Sequence, residues 1–281
     1  MSSKLNRFGL GLAIILILAG VHWSRLPHGQ LRIDFLNIGQ GDAILLSLPT
    51  GEHVLVDGGP EQVVLRELGE VMPFLDRRID LMVLTHPHAD HMMGLVQVLR
   101  RYEVKKVLFS GVNYWSPIYN EFLKEIRTQQ IPLIVATTHE DFSIGAVDFD
   151  ILFPFESMLG EELSNLNNGS VVMKVTLNEQ SLLLVGDAEI EVEEELVAAH
   201  DQGEINLRSD LLKSGHHGSR TASSLEFLQR VQPEMVVIQC GVDNQFEHPH
   251  KETLENYARM GIEVRRNDLE GRIRVNLLAQ S

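Results

Sequence analysis

Four side chains able to bind a metal ion fall within the run Thr85-His86-Pro87-His88-Ala89-Asp90-His91. His86 and His88, two apart in an extended turn, can point the same way and share one ion. Asp90 and His91 come next, at the start of a helix, and can reach a second. Zinc, iron and manganese all accept imidazole together with carboxylate. The bland reading makes Asp90 a helix N-cap and one histidine a surface residue, but it has to explain all four at once.

Three further clusters carry the same residue types. Gly186-Asp187-Ala188-Glu189 puts Asp187 where a carboxylate can bridge two cations, or merely cap an acidic helix. In Lys213-Ser214-Gly215-His216-His217-Gly218-Ser219, glycines flank a histidine pair and allow close backbone approach. Lys213, Ser219 and the neighbouring amides suit an anion. Glu247-His248-Pro249-His250 is either part of the site or a helix-entry loop.

These clusters need elements to position them. Residues 31–36 alternate as a half-buried strand, and Gly39-Gln40-Gly41-Asp42 turns into a second strand at 43–48. A third, 53–56, runs into Asp57-Gly58-Gly59. The apolar run 81–84 is a buried strand feeding the histidine motif. Helices are expected at 61–75, 91–101, 118–129, 189–200, 223–231 and 251–260. Strands are expected at 106–109, 133–135, within 142–153, at 171–177 and 181–185 as a hairpin, at 211–212, 235–239 and 272–277. Mixed strands and helices suggest an αββα sandwich, although periodicity alone leaves several α/β folds open. The single cysteine, Cys240, lies in a strand run and reads as a core residue, which excludes a disulfide or a cysteine-built zinc cluster.

The N-terminus differs from the rest. Residues 8–21 are apolar or glycine and sit behind Lys4 and Arg7. The expected organisation is a short cytoplasmic stretch at 1–7, a signal anchor or transmembrane helix at 8–24, a linker at 25–30 and one domain at 31–281. The basic end would be inside, with the domain outside the cytoplasm on a single-pass anchor; a cleaved signal peptide is the alternative. The first thirty residues hold three bases and no acid, so the remainder sets all 39 acids against 21 of the 24 bases, or −18. That excludes a broadly basic nucleic-acid surface.

The motif Thr85-His86-Pro87-His88-Ala89-Asp90-His91, with the other clusters in this order, resembles the metallo-β-lactamase-fold hydrolases. Gln40-Gly41-Asp42, Asn167-Asn168-Gly169-Ser170 and Gly215-His216-His217-Gly218-Ser219 are similar to the hydrolase domain of ComEC-type competence proteins. The resemblance covers about residues 31 to 278. It implies a metallo-β-lactamase-like α/β sandwich with two divalent ions, zinc or manganese. His86 and His88 would hold the first ion, and Asp90 and His91 the second. Asp187 would bridge them and His216 would complete the second site, with His217 as the alternative. Asp57 and Asp42 would orient ligands from behind. The third histidine usual at the first site is replaced by the Asn167–Ser170 segment, which implies a weaker metal there. Asn168, Ser170, Lys213 and Ser219 would contact substrate, and Asp90, His216, His217, His248 and His250 would take part in catalysis. DNA, single-stranded before duplex, is the implied substrate. Competence proteins of this type are polytopic channels, so any uptake role would need a separate channel partner. Hydrolysis of a small ester, lactone, thioester or β-lactam is the rival expectation, and a non-catalytic binding module on the same fold is a second.

Overall fold

The computed structural model describes residues 25–278 throughout, together with Leu10, Leu12, residues 15–20 and Trp23. Eight of the seventeen residues of the expected span at 8–24 lie outside the described residues. Its described part is helical with exposed apolar side chains. Among the described residues no helix is long and apolar enough to cross a membrane, so the structure does not support the transmembrane helix.

From residue 31 the chain forms two seven-stranded sheets. In the first, β1 (Leu31–Phe35), β2 (Ile44–Ser47) and β3 (His53–Val56) are antiparallel, as their turns require. β5 (Leu81–Leu84), β7 (Val107–Phe109) and β8 (Leu133–Val135) then continue in parallel from β3. The last strand, β16 (Ile273–Leu277), returns to pair with β1. In the second sheet, β9 (Phe142–Ile144), β10 (Val147–Phe153), β11 (Val172–Leu177) and β12 (Gln180–Leu184) are antiparallel. β13 (Leu211–Lys213), β14 (Met235–Ile238) and β15 (Glu263–Arg266) extend it in parallel from β12. A two-residue pair, β4 (Arg78–Ile79) with β6 (Glu103–Val104), lies apart from both sheets.

The facing sides of the sheets share one apolar core that includes Ile33, Phe35, Val56, Val83, Phe149, Val175, Leu184 and Val237. Burial of each such side chain stabilises the fold by about 1.5–3 kcal/mol before entropy is counted. The outer face of the first sheet is covered by α1 (Val63–Val71), α2 (Ala89–Leu99) and α3 (Pro117–Thr128). The outer face of the second is covered by α4 (Ile190–Asp201), α5 (Leu225–Val231) and α6 (Lys251–Met260). Cys240 is buried in this last core, so it is a packing residue. The layers are the αββα sandwich that the sequence suggests. One short helix, α7 (Asn267–Glu270), precedes β16.

The topology brings the carboxyl ends of β3, β5, β12, β13 and β14 together, and each end carries one histidine or aspartate motif. Parallel strands place their connecting loops on one edge, which is where α/β sheets build ligand sites. Helix α2 approaches the β3 end closely through glycine: a Cβ on Gly94 would lie 1.9 Å from the Gly58 carbonyl oxygen. Gly58 N–H donates to the His91 carbonyl at 2.7 Å, and Gly94 N–H to the Gly59 carbonyl at 2.9 Å.

Candidate metal centre

Asp187, at the end of β12, is the hub of the site. Its Oδ2 lies 3.2 Å from His91 Nε2, 3.2 Å from His217 Nε2, and 3.9 Å from both His86 Nε2 and His216 Nε2. The far nitrogen of each ring is already engaged. His91 Nδ1 donates to Asp57 Oδ2 at 2.8 Å, and His217 Nδ1 to the Gln239 carbonyl at 3.1 Å. His86 Nδ1 meets Thr85 Oγ1 at 3.1 Å, and His216 Nδ1 meets Thr221 Oγ1 at 3.1 Å. Thr85 Oγ1 is itself oriented because it donates to Asp57 Oδ2 at 2.7 Å. A neutral imidazole has one N–H, so with Nδ1 protonated each Nε2 presents a lone pair to the carboxylate. Each such Nε2 then needs a cation, a metal ion or a proton, between it and the carboxylate.

The donors fall into two groups that share Asp187. The first contains His91 Nε2 and His217 Nε2, 3.3 Å apart, with Asp90 Oδ2 3.4 Å from His217 Nε2. These edges match the ~3.3 Å expected between ligands that each sit about 2.0–2.1 Å from a shared tetrahedral ion. The second contains His86 Nε2 and His88 Nδ1, 3.0 Å apart, and His216 Nε2 approaches the shared Asp187 Oδ2 at 3.9 Å. Asp187 Oδ1 is buried without a hydrogen-bond partner. The residues present therefore fit divalent cations.

The electrostatics agree. Burial alone would raise the Asp187 carboxyl, yet the charges of His217 and His91 hold it well below the usual carboxylate range. Burial would depress His91 and His217, but Asp187, with Asp57 beside His91 and Asp42 beside His217, raises both well above the usual histidine value. His86 is instead driven well below it by burial and the neighbouring His91. Burial pushes Asp57 upward, against the pull of His91. The carboxylate hub thus draws positive charge toward His91 and His217, as it would draw a divalent cation.

Local backbone explains how adjacent histidines reach different groups. His216 and His217 both adopt left-handed conformations, φ 44° and 54°. Such residues cost about 1–2 kcal/mol each and persist where surrounding structure fixes them. Gly215 and Gly218 permit this turn, since a Cβ on Gly218 would lie 2.5 Å from Pro249 Cβ.

The structure corrects several expectations from sequence. His217, the alternative to His216, joins His91 and Asp90; His216 Nε2 lies 3.9 Å from Asp187 Oδ2 and 3.5 Å from Asn167 Nδ2. Lys213 is buried, with Nζ 2.6 Å from Asp42 Oδ2 and 2.9 Å from the Ser214 carbonyl, so it cannot meet an anion. A charge this deep requires a partner, and Asp42 supplies it. Asp42 Oδ1 lies 3.1 Å from His217 Nδ1, but that N–H is directed to Gln239, so Asp42 acts there through charge. Ser219 is buried and its Oγ pairs with Thr221 Oγ1 at 3.0 Å. Asn168 accepts from Glu189 N–H at 3.1 Å at the start of α4, and Asn167 faces the site in its place. Ser170 accepts the Asp187 N–H at 3.0 Å and meets His86 Nδ1 at 3.3 Å, so it positions ligands and does not reach substrate.

The open cleft over the centre has a volume of about 210 Å³ and is lined in part by Gln40, Asn167, Phe246 and His248. His248 Nδ1 accepts from Gln40 Nε2 at 3.5 Å, which leaves Nε2–H as a donor. Burial, with His217 and His216 close by, pushes its pKa down to about 4. His250 does not line the cleft; its Nδ1 accepts the Arg220 N–H at 3.0 Å. Sequence reasoning misses Asn167, Gln40, Gln239 and Phe246 as site residues. Gln40 and Asn167 lie inside recognisable motifs, whereas Gln239 and Phe246 carry no signal.

The family model of the metallo-beta-lactamase superfamily matches residues 36–241. The chain is 29% identical over 258 residues to ComE operon protein 3 of Bacillus subtilis, which covers 86% of this chain and 32% of that protein. It is 31% identical over 279 residues to competence protein ComA of Neisseria gonorrhoeae, covering 96% and 36%. The chain thus spans about a third of the length of these curated relatives. The crystal structure of the metallo-beta-lactamase fold protein YhfI from Bacillus subtilis superposes with a TM-score of 0.58 at 14% identity, covering 88% of this chain and 99% of that one.

Proposed function

Because the chain belongs to the metallo-β-lactamase superfamily, we propose that it is a metal-dependent phosphodiesterase that cuts nucleic acid outside the cytoplasm. The observation that carries the metal dependence is the convergence of four imidazole Nε2 atoms on Asp187. Similarity to competence proteins supports nucleic acid as substrate. The apolar run at 8–21 behind Lys4 and Arg7 supports a membrane anchor with the domain outside.

Zinc or manganese, two ions per chain, would be held by His86, His88, Asp187 and His216 in one group and by Asp90, His91, His217 and the shared Asp187 in the other. In this reading His216 supplies the nitrogen that the Asn167–Ser170 segment lacks. Bound divalent cations would supply Lewis acidity and a nucleophile at neutral pH. Asp57 fixes His91 in the Nδ1–H tautomer, and the Gln239 carbonyl does the same for His217. Asp42 and Lys213 set the charge behind His217. His248 offers its Nε2–H to a substrate oxygen at the mouth of the cleft. No serine or cysteine nucleophile is required.

The acidic balance of the chain favours a rival reading, hydrolysis of a small ester, lactone or cyclic nucleotide, for which the modest cleft is large enough. Incubation of the full-length protein with single- and double-stranded DNA in manganese or zinc separates them. Cleavage lost in His86→Ala and in Asp187→Ala supports the proposal. DNA left intact while a panel of chromogenic esters is hydrolysed overturns it.

A further inference from the structure

The loop Gly241–Pro249 is built to hold one aromatic ring in solvent. Asn244 organises it: its Oδ1 accepts from His248 N–H at 2.9 Å and Phe246 N–H at 3.2 Å, and its Nδ2 donates to the carbonyls of Gly241 and His248 at 2.9 and 2.6 Å. The root of the loop is fastened to the Gln-Gly-Asp turn, since Gly241 N–H donates to Gln40 Oε1 at 3.1 Å. A Cβ on Gly241 would lie 2.9 Å from Gln40 N. The result is a rigid perch on which Phe246 is 49% exposed, beside the exposed Val242. Its ring stacks on the His248 ring, with centroids 5.7 Å apart and planes 25° apart, and lines the same cleft as Asp187 and His217. A flat hydrophobic face, fixed at the mouth of a metal centre and open on one side, suits a planar ring carried by the substrate. Nearby, Arg220 donates its backbone N–H to His250, and its guanidinium lies 3.8 Å from Glu252 with both side chains exposed. Lys251, next to His250, has a largely exposed side chain whose Nζ lies 3.2 Å from Glu255 Oε1. Both cations are exposed, and their surface pairs with Glu252 and Glu255 are of the weak, solvent-screened kind that a phosphate can displace.

We infer that Phe246 is the platform on which one base of a single-stranded nucleic acid stacks, placing the adjoining phosphodiester over the metal centre, with Arg220 and Lys251 along the path of the flanking phosphates. This rests on the nucleic-acid reading of the same site. Stacking of a base on an aromatic side chain tolerates any sequence and needs an unpaired strand, because a paired base has no free face. An acidic protein can hold such a substrate through one ring and a few charges without a broad basic surface.

The test uses full-length protein in detergent with manganese and a short fluorescent single-stranded oligodeoxynucleotide. Phe246→Ala should raise KM by roughly 5- to 100-fold with kcat changed by less than about twofold, and Phe246→Trp should restore the wild-type KM. On the same strand made abasic throughout, wild type and Phe246→Ala should have equal KM. Fluorescence anisotropy of the uncut strand should show the same loss of affinity. Cleavage by wild type with an unchanged KM in Phe246→Ala, or a loss that persists on the abasic strand, overturns the stacking role and leaves the nuclease reading intact. A wild-type protein that neither binds nor cuts the strand overturns both.

Discussion

Lys213 offers a sharp test of how the site is supported. From sequence it reads as an anion-binding residue; in the fold its side chain is 1% exposed and its Nζ faces Asp42, itself 2% exposed. Replacing Lys213 with Met keeps the stem and removes the ammonium that faces the buried Asp42, which costs about 3–5 kcal/mol. Asp42→Asn strands the ammonium in the same way. With both changed, neither charge remains, so the double variant should lose at least about 2 kcal/mol less than the sum of the single losses. At a urea slope of about 3 kcal/mol/M the Lys213→Met midpoint should fall by about 1–1.7 M. The assay is urea unfolding at neutral pH for all four proteins. Additive losses within about 0.5 kcal/mol would refute the pairing. So would a Lys213→Met protein of normal stability whose only defect is a raised KM.

Gly94→Ala should destabilise the protein by roughly 2 kcal/mol or more, against the ~1 kcal/mol that alanine gains over glycine in a helix, because its Cβ would overlap the Gly58 carbonyl oxygen. Thermal melting checks the sign, and a raised melting temperature would contradict the glycine docking of α2. Glu193, buried in α4, accepts the N–H groups of Ser223 and Ser224 at the start of α5. Burial outweighs those bonds and raises its pKa to about 7. The folded state therefore keeps a proton that the unfolded chain releases near pH 4.5. Its stabilisation is full below that pH and is lost as pH rises through about 7, by about 3 kcal/mol in all. In Glu193→Gln that slope should disappear from unfolding curves taken across this range; an unchanged slope would exclude Glu193 as its source.

Much of the site is legible in the sequence because its chemistry lies in contiguous motifs at strand ends. The apolar runs at 81–84 and 181–185 mark strands, and each leads directly into a ligand-rich turn. β15 is not legible: Glu263–Arg266 has a charged residue at three of its four positions, because it is the edge strand of its sheet. Which of two neighbours faces the site is not legible either. Asn167 and Asn168 lie on a 3-10 turn, and His216 and His217 on a left-handed one, where neither the helix nor the strand period applies. Lys213 misleads because a buried charge and an exposed one look alike until the partner, Asp42 from the other half of the chain, is brought beside it. Phe246 has no flanking pattern, and only the clamp around Asn244 shows why an aromatic ring is held outward.

The central claim is that two groups of donors share Asp187. Metal bound per full-length chain, measured by elemental analysis after equilibrium dialysis against manganese or zinc, tests it most directly. Two ions per chain are predicted, falling to about one in His217→Ala and in His86→Ala, and to less than one in Asp187→Ala. A wild-type chain that retains no transition metal, or a stoichiometry unmoved by these substitutions, would contradict it.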